Sequence, residues 1–270
     1  MEKKEFLIKY PKPEDKILIA KVLDKIQFVK TKNEVQTTDF LDGYQQKLVQ
    51  KVVETFQVKN AYLEGGYEEA ERKMLLLLPE KLENIYQNQK QKMLNQQLSV
   101  LSINLPNDLF RKYQHRDYLG AVIKIGMKRE KVGDILVREN GADLIVKKEI
   151  ASYLQNDLSE LTRFHKAELV EKTIENLQLV ENKKEVICIL ISQLRLDCII
   201  SELLHISRNK ATEIINQERA FINYELKTKV ASSIKENDIL TIRGKGKYHI
   251  GKIIGESSKG KIRLEVEKYI

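Results

Sequence analysis

Ser207 is a residue type that caps helices, and Ala211, Ile214 and Ile215 supply the apolar side of the helix it would start. Arg208 and Lys210 therefore fall in the first helical turn. A helix N-terminus already carries about half a positive charge from its aligned peptide dipoles, so cations there are unfavourable unless an anion joins them. A phosphate held by the free backbone N–H groups, with Arg and Lys beside it, resolves the conflict. The plainer alternative is a pair of surface residues bonded to Asp197 or Glu202. A second basic group stands at Arg243, Lys245 and Lys247, alternating with Gly244 and Gly246. On a strand these three cations share one face, and the glycines let a bulky backbone approach. The alternative is a solvated hairpin tip.

His115-Arg116-Asp117 is the most enzyme-like cluster, because a histidine beside a carboxylate can move protons. Adjacent residues at a helix start point in different directions, however, and capping by Asp117 accounts for the pattern equally well. The basic residues that follow (Lys124, Lys128, Arg129, Lys131) favour a second polyanion surface made of His115, Arg116, Lys128 and Arg129. Other chemistries find no footing. No Gly-Lys-Ser or Gly-Lys-Thr occurs, no helix follows Gly244-Lys245-Gly246, and no Gly-x-Ser-x-Gly is present. His115, His165, His205 and His249 are scattered without metal-ligand spacing. No catalytic residue, metal or cofactor is therefore expected. Cys188 and Cys198 form no Cys-x-x-Cys pair, and both read as buried small hydrophobes, Cys188 within the apolar run Val186 to Ile191.

The elements that must position these residues belong to a chain of 270 residues, long enough for two or three compact units. Its formal charge is +8, which favours nucleic acid or another polyanion as partner. From Glu181 to Ile270 there are 17 Lys and Arg against 12 Asp and Glu, so this last third holds more than half of the excess. No apolar run of signal-peptide length follows the charged Met1-Glu2-Lys3-Lys4-Glu5, and the longest apolar run, Met74 to Pro79, is too short to span a bilayer. A cytoplasmic protein with no membrane partner is expected.

In chain order, Pro13 can open a helix carrying Ile17, Ala20 and Leu23. Asp42 and Gln45 form a capping box for a second helix, along which Tyr44, Leu48, Val52 and Phe56 step by four. Phe40 and Leu41 are expected to pack inward, and Gly65-Gly66 to turn the chain. The middle alternates. Lys73 to Leu78 reads as a buried strand, Pro79 to Gln91 as a polar helix with a solvated glutamine-rich side, and Leu98 to Leu105 as a strand. Arg116 to Ile125 follows as a helix with Leu119, Val122 and Ile123 inward and Gly126 at its C-terminal cap. Asp134 to Arg138 and Ala142 to Val146 form a hairpin about Asn140-Gly141, then come a helix at Lys147 to Gln155 and a strand at Glu168 to Ile174. This order suits an open sheet of the split β-α-β sort, although it lacks the aromatic run of an RNA recognition motif. After a polar stretch at Leu177 to Lys184, two short helices precede strands at Ala220 to Ile222, Ile239 to Ile242, Tyr248 to Ile254 and Ile262 to Val266.

Arg195-Leu196-Asp197, Ser207-Arg208-x-x-Ala211, Ile222-Asn223 and Asp238-x-Leu240-x-Ile242-Arg243-Gly244 resemble the S4 RNA-binding domain. Further motifs resemble the bacterial YlmH family: Thr38-Asp39-Phe40-Leu41-Asp42, Gly65-Gly66-Tyr67 with Ala70-Glu71-Arg72, His115-Arg116-Asp117-x-Leu119-Gly120-Ala121, and Lys128-Arg129-Glu130-Lys131-x-Gly133-Asp134-Ile135. The resemblance implies a non-enzymatic RNA-binding protein associated with the large ribosomal subunit, peptidyl-tRNA and the rescue of stalled nascent chains. An older label of the family is cell-division protein. RNA contacts carried over by the motif fall on Arg195, Ser207, Arg208, Lys210, Asn223 and Arg243, and the hairpin reading adds Lys245 and Lys247. Two positions depart from the pattern: Glu218 stands where the domain usually has glycine, and Lys245 replaces an aromatic.

The expectation is an α+β chain of three modules. Residues 1–72 form a mainly helical segment, 73–178 an open α/β sandwich of split β-α-β (RRM-like) type, and 181–270 an S4 (alpha-L) domain. It is expected to be a monomer that binds ribosomal RNA or tRNA on the large subunit. An RNA-modifying enzyme using the S4 domain as a handle, and a cell-division scaffold, are the alternatives.

Overall fold

A proline and an aspartate begin the two long helices at the start of the chain. In the computed structural model, which describes residues 3–179 and 184–269, α1 (Lys3–Ile8) leads into α2 (Pro13–Lys32), whose first residue needs no N–H partner. After β1 (Gln36–Thr37), Asp42 caps α3 (Gly43–Thr55). The Asp42 carboxylate accepts the Gln45 N–H at 2.9 Å, and the Gln45 amide oxygen accepts the Asp42 N–H at 3.0 Å. Strands β2 (Ala61–Glu64) and β3 (Met74–Leu77) complete an antiparallel sheet in the order β1-β3-β2. The run at Lys73 to Leu78 is thus a buried strand, but it pairs with β1 and β2 and not with the middle sheet. Both of its faces are apolar. Leu75 and Leu77 join the core of α2 and α3, while Met74, Leu76 and Leu78 join a second core with Phe40 and Tyr86.

Helix α4 (Glu83–Leu94) precedes a four-stranded sheet built from β4 (Leu98–Asn104), β5 (Val132–Arg138), β6 (Gly141–Lys147) and β7 (Glu168–Lys172), ordered β5-β6-β4-β7 with every neighbouring pair antiparallel. Helices α5 (His115–Lys124) and α6 (Ala151–Ser159) cover one face, where Tyr118, Val122, Leu154 and Leu158 meet Leu101, Ile103, Leu144 and Val146. The helical period places Tyr118, Ala121 and Val122 inward and leaves the expected core residue Ile123 48% exposed. The hairpin is also displaced by one residue: Arg138 pairs with Gly141, so the loop is Glu139-Asn140. Gly141 is needed for close approach, since a Cβ there would lie 1.8 Å from the Ile103 carbonyl oxygen.

The other face of this sheet is covered as well. Leu98, Val100 and Ile145 pack with Phe40, Met74, Leu76 and Ile174. Beyond them lies a polar patch in which the fully buried Asp143 accepts from Arg138 (3.0 Å) and Ser102 (2.7 Å), and from the Gln178 main-chain N–H (3.0 Å). These elements form one compact unit, Met1–Val180.

The second unit, Glu181–Ile270, is also mixed helix and sheet, and the chain as a whole is α+β. It contains β8 (Lys184–Ile191), α7 (Leu196–Leu204), α8 (Arg208–Asn216), β9 (Ala220–Ile222), β10 (Glu225–Leu226), β11 (Ile239–Ile242), β12 (Gly246–Glu256) and β13 (Ile262–Tyr269). The strands make one sheet ordered β10-β9-β11-β12-β13-β8. Ile199, Ile200, Leu203, Ala211 and Ile215 pack on Ile222, Leu240, Ile250 and Leu264. Cys198 is buried as expected, whereas Cys188 is exposed. On edge strand β8, side chains alternate: Ile189 and Ile191 turn into the core, and Val186, Cys188 and Leu190 turn out. Among the described residues no helix is long and apolar enough to cross a membrane.

Candidate nucleic-acid interface

Ser207 caps α8, its hydroxyl accepting the Lys210 N–H at 3.3 Å. Arg208 and Lys210 then lie exposed in the first turn. Arg208 leans back on α7, donating to the Ser192 hydroxyl at 3.0 Å and touching the Cys198 sulfur. Neither Asp197 nor Glu202 receives it. The Asp197 carboxylate is instead taken by Arg195, through Nε at 3.0 Å and Nη2 at 3.1 Å. Arg195 therefore spends two donors on its own helix start, with its side chain 37% exposed. What remains at the positive end of α8 is uncompensated charge on Arg208 and Lys210, with Ser192 and Cys198 holding the guanidinium in place.

The second basic group is arranged differently from a shared strand face. Ile242 pairs with Gly246, which makes Arg243-Gly244-Lys245 a three-residue turn. The reversal follows from Gly244, whose φ of +74° is cheap only without a side chain, and from the Lys245 N–H reaching the Ile242 carbonyl at 2.9 Å. Arg243 and Lys245 are exposed on the turn, with the Arg243 guanidinium 4.7 Å from the centre of the Phe221 ring. Lys247 alone is in strand β12, opposite Thr241. Its ammonium lies over Tyr269 (4.9 Å) and Tyr224 (5.4 Å), so it is packed and not presented.

Arg219 was not singled out by the sequence, yet it organises this turn. Its guanidinium donates to the Arg243 carbonyl at 2.7 Å, and its own carbonyl accepts the Arg243 N–H at 2.9 Å. The available signal was the departure at Glu218, which holds a φ of +58° just past the end of α8. The Glu218 N–H reaches the Ile215 carbonyl and the Arg219 N–H the Ile214 carbonyl, the paired bonds of a Schellman cap. That cap places Arg219 beside the turn. The turn is consequently at the C-terminal end of α8 and Arg208 at its N-terminal end, about 13 Å apart for nine residues. The two basic groups bracket the helix and do not merge into one cluster.

Asn223 has both polar atoms of its side chain engaged within the protein. It and Tyr224, both at positive φ, are the two-residue loop between β9 and β10. The Asn223 amide donates to Asp238 at 2.6 Å and accepts the Ile239 N–H at 3.0 Å. It fixes the loop against the start of β11.

In the first unit the four residues of the second basic surface are treated unequally. His115, Arg116 and Lys128 are exposed. Arg129 is half-buried, donating to the carbonyls of Val132 and Gly133, the latter at 2.9 Å. Burial, and then the charge of Arg72, push its pKa down to about 10. Crowding by protein, and next the Arg129 charge, lower the His115 pKa. Asp117 caps α5 by accepting the Gln114 N–H at 2.9 Å. Around Arg129 the Asp134 carboxylate accepts from the Tyr67 hydroxyl (2.8 Å) and from the N–H groups of Glu71 (2.7 Å) and Arg72 (3.1 Å), while Arg72 donates to the Phe40 carbonyl (3.1 Å). The motifs at 38–42, 65–72 and 128–135 thus meet and join the two sheets. Among the described residues no group of histidine, cysteine and carboxylate side chains could hold a metal ion.

Residues 14–82 match a family model described as "YlmH, N-terminal", and residues 92–176 match one described as "Putative RNA-binding domain in YlmH". Together the two cover more than half of the chain. Ribosome-associated protein quality control protein P2 of Bacillus subtilis (strain 168) is 29% identical over 257 residues, spanning 94% of this chain and 95% of that protein. The solved structure of cell division protein ylmH from Streptococcus pneumoniae is similar at 20% identity, covering 63% of this chain and 98% of its own, with a TM-score of 0.48. Motifs, family models and a relative aligned over almost the whole length coincide: this chain belongs to the YlmH family.

Proposed function

We propose that this protein binds structured RNA, ribosomal RNA or tRNA on the large ribosomal subunit, and acts without catalysis in the quality control of stalled nascent chains. The observation that carries the reading is the uncompensated pair Arg208 and Lys210 at the positive end of α8, the place where an anion relieves the local electrostatics. Arg243 and Lys245 on the turn at the far end of the same helix extend the footprint. Arg195, Ser207 and Asn223 contribute chiefly by holding that shape, and Lys247 does so through its tyrosines. Arg116 and Lys128 offer a second, smaller basic surface in the first unit, with the exposed His115 beside them and the half-buried Arg129 behind.

In this reading the chain carries three modules, 1–72, 73–178 and 181–270, with β3 lent to the first sheet. The strand order β5-β6-β4-β7 with α5 and α6 on one face supports a split β-α-β, RRM-like fold for the middle module. The two short helices packed on the last sheet support an S4 fold for the third. Recognition is by phosphate position and RNA shape, since the face of the middle sheet is occupied by protein and offers no base-stacking platform. The protein works in the cytoplasm as a monomer. Its B. subtilis relative is named for ribosome-associated quality control, which is the reason for placing it there.

Replacing Arg208 and Lys210 together by Glu tests the proposal. Co-sedimentation with large subunits should fall at least tenfold, about 1.4 kcal/mol or more, while circular dichroism stays unchanged. Undiminished co-sedimentation would place the contact elsewhere.

A further inference from the structure

Strand β8 is an edge of the second unit's sheet, hydrogen-bonded to β13 on one side. On its other side no hydrogen bond joins the main chain of residues 185–191 to another described segment. An open edge is a template for a further strand, and proteins ordinarily blunt it with charge, proline, a bulge or shortness. The opposite edge of the same sheet is blunted in this way: β10 is two residues long and carries Glu225 in an ion pair with Lys227. β8 has none of these devices. It is eight residues long, has neither charge nor proline from Val186 to Ile191, and pairs with β13 without a break in register. Its outward side chains are apolar and in solvent: Val186 is 62% and Leu190 40% exposed, with the exposed Cys188 between them.

A strand that completes this edge must be apolar on both faces, since it lies beside Val186 and Leu190 on one and Ile187 and Ile189 on the other. β8 itself has that pattern. We propose that a second copy of this chain covers the edge, the two β8 strands pairing antiparallel about a two-fold axis at Cys188. That register sets Val186 opposite Leu190 of the second copy, Ile187 opposite Ile189 and Cys188 opposite Cys188, and it continues the sheet from one copy into the next. Lys184 and Glu185 fall at the two ends, each apart from its own copy. A slip of two residues one way sets Lys184 and Glu185 against Leu190 and Ile189, and the other way it shortens the ladder, so the register is specified. One pair of strands is a small interface, and the association is accordingly reversible. The monomer proposed to act on RNA is its dissociated form. The pairing does not rest on the RNA reading.

Sedimentation velocity of the full-length chain over a concentration series tests this. The sedimentation coefficient should rise with concentration toward that of a dimer. Val186→Lys with Leu190→Lys, both at exposed positions, should weaken the association about tenfold or more while circular dichroism stays unchanged. A short thiol-to-thiol crosslinker should join wild-type chains through Cys188, because Cys198 is buried, and should join none of the Cys188→Ser chains. Opposite residues of an antiparallel pair have their Cβ atoms about 4.5–5.5 Å apart, within reach of such a reagent. The crosslink keeps the test valid where the lysine variant fails to fold. A chain that is monomeric at every concentration overturns the proposal and leaves the edge to a strand of another protein. Association that the two lysines leave unchanged overturns it as well, as does association in which Cys188 is not joined.

Discussion

Glu218 occupies the left-handed conformation that a Schellman cap demands, where a side chain costs about 1–2 kcal/mol and glycine costs nothing of the kind. Replacement by glycine should raise the unfolding free energy by about 0.5–1 kcal/mol, the relief of strain being partly offset by a freer unfolded chain; chemical denaturation measures it. A second residue makes stability depend on pH. Lys147 is buried, with its ammonium bonded to the Thr37 hydroxyl (2.6 Å) and the Thr38 carbonyl (3.0 Å). Burial lowers its pKa from 10.5 to about 8. Folding thus disfavours the charged form. Between pH 8 and 10.5 the unfolded chain holds the proton more tightly, so stability rises with pH across that window. Relative to Lys147→Met, the wild type should gain about 1–3 kcal/mol from pH 8 to pH 10. Parallel curves would show that Lys147 does not titrate there.

Among the elements, the β5–β6 hairpin is held by one glycine. Gly141→Ala would drive a methyl group into the β4 backbone, and a loss of about 3 kcal/mol is expected by thermal denaturation, whereas Gly120→Ala, in open space on α5 and without a positive φ, should cost nothing. The elements also show which information is local. The Asp42–Gln45 capping box, the Ser207 cap and the inward Phe40 and Leu41 all follow from residue type and short spacing, and the structure has them. Pairing is not local. Nothing within Met74–Leu77 says whether it joins β1 or β4, because a strand apolar on both faces fits either sheet. The same limit hid the site's geometry. Alternation at 243–247 reads equally as a strand face or a turn, and only the positive φ at Gly244 and the Arg219 tether decide it. Cys188 follows the same logic: an apolar run on an edge strand shows half of itself to solvent.

At the scale of the molecule, charge and apolar surface govern association. Four exposed cations flank α8 without an internal carboxylate partner: Arg208, Lys210, Arg243 and Lys245. If each neutralises one phosphate, the logarithm of the RNA affinity should fall against log salt with a slope of about −3 to −4. Filter binding across a salt series measures this, and a flat response would remove the phosphate mechanism. Lys247 should add little to that slope, because its ammonium already rests on two aromatic faces.

Strand β8 pairs only with β13, although every other strand of that sheet lies between them in the chain. Translation therefore delivers the first strand of the unit long before its sole neighbour. Until β13 arrives, one whole backbone edge of β8 stays open and the inward Ile189 and Ile191 lack Leu264 and Val266 of β13, a state prone to mispairing. The unit proposed to attend stalled synthesis is itself one whose closure waits on synthesis running through to its final strand.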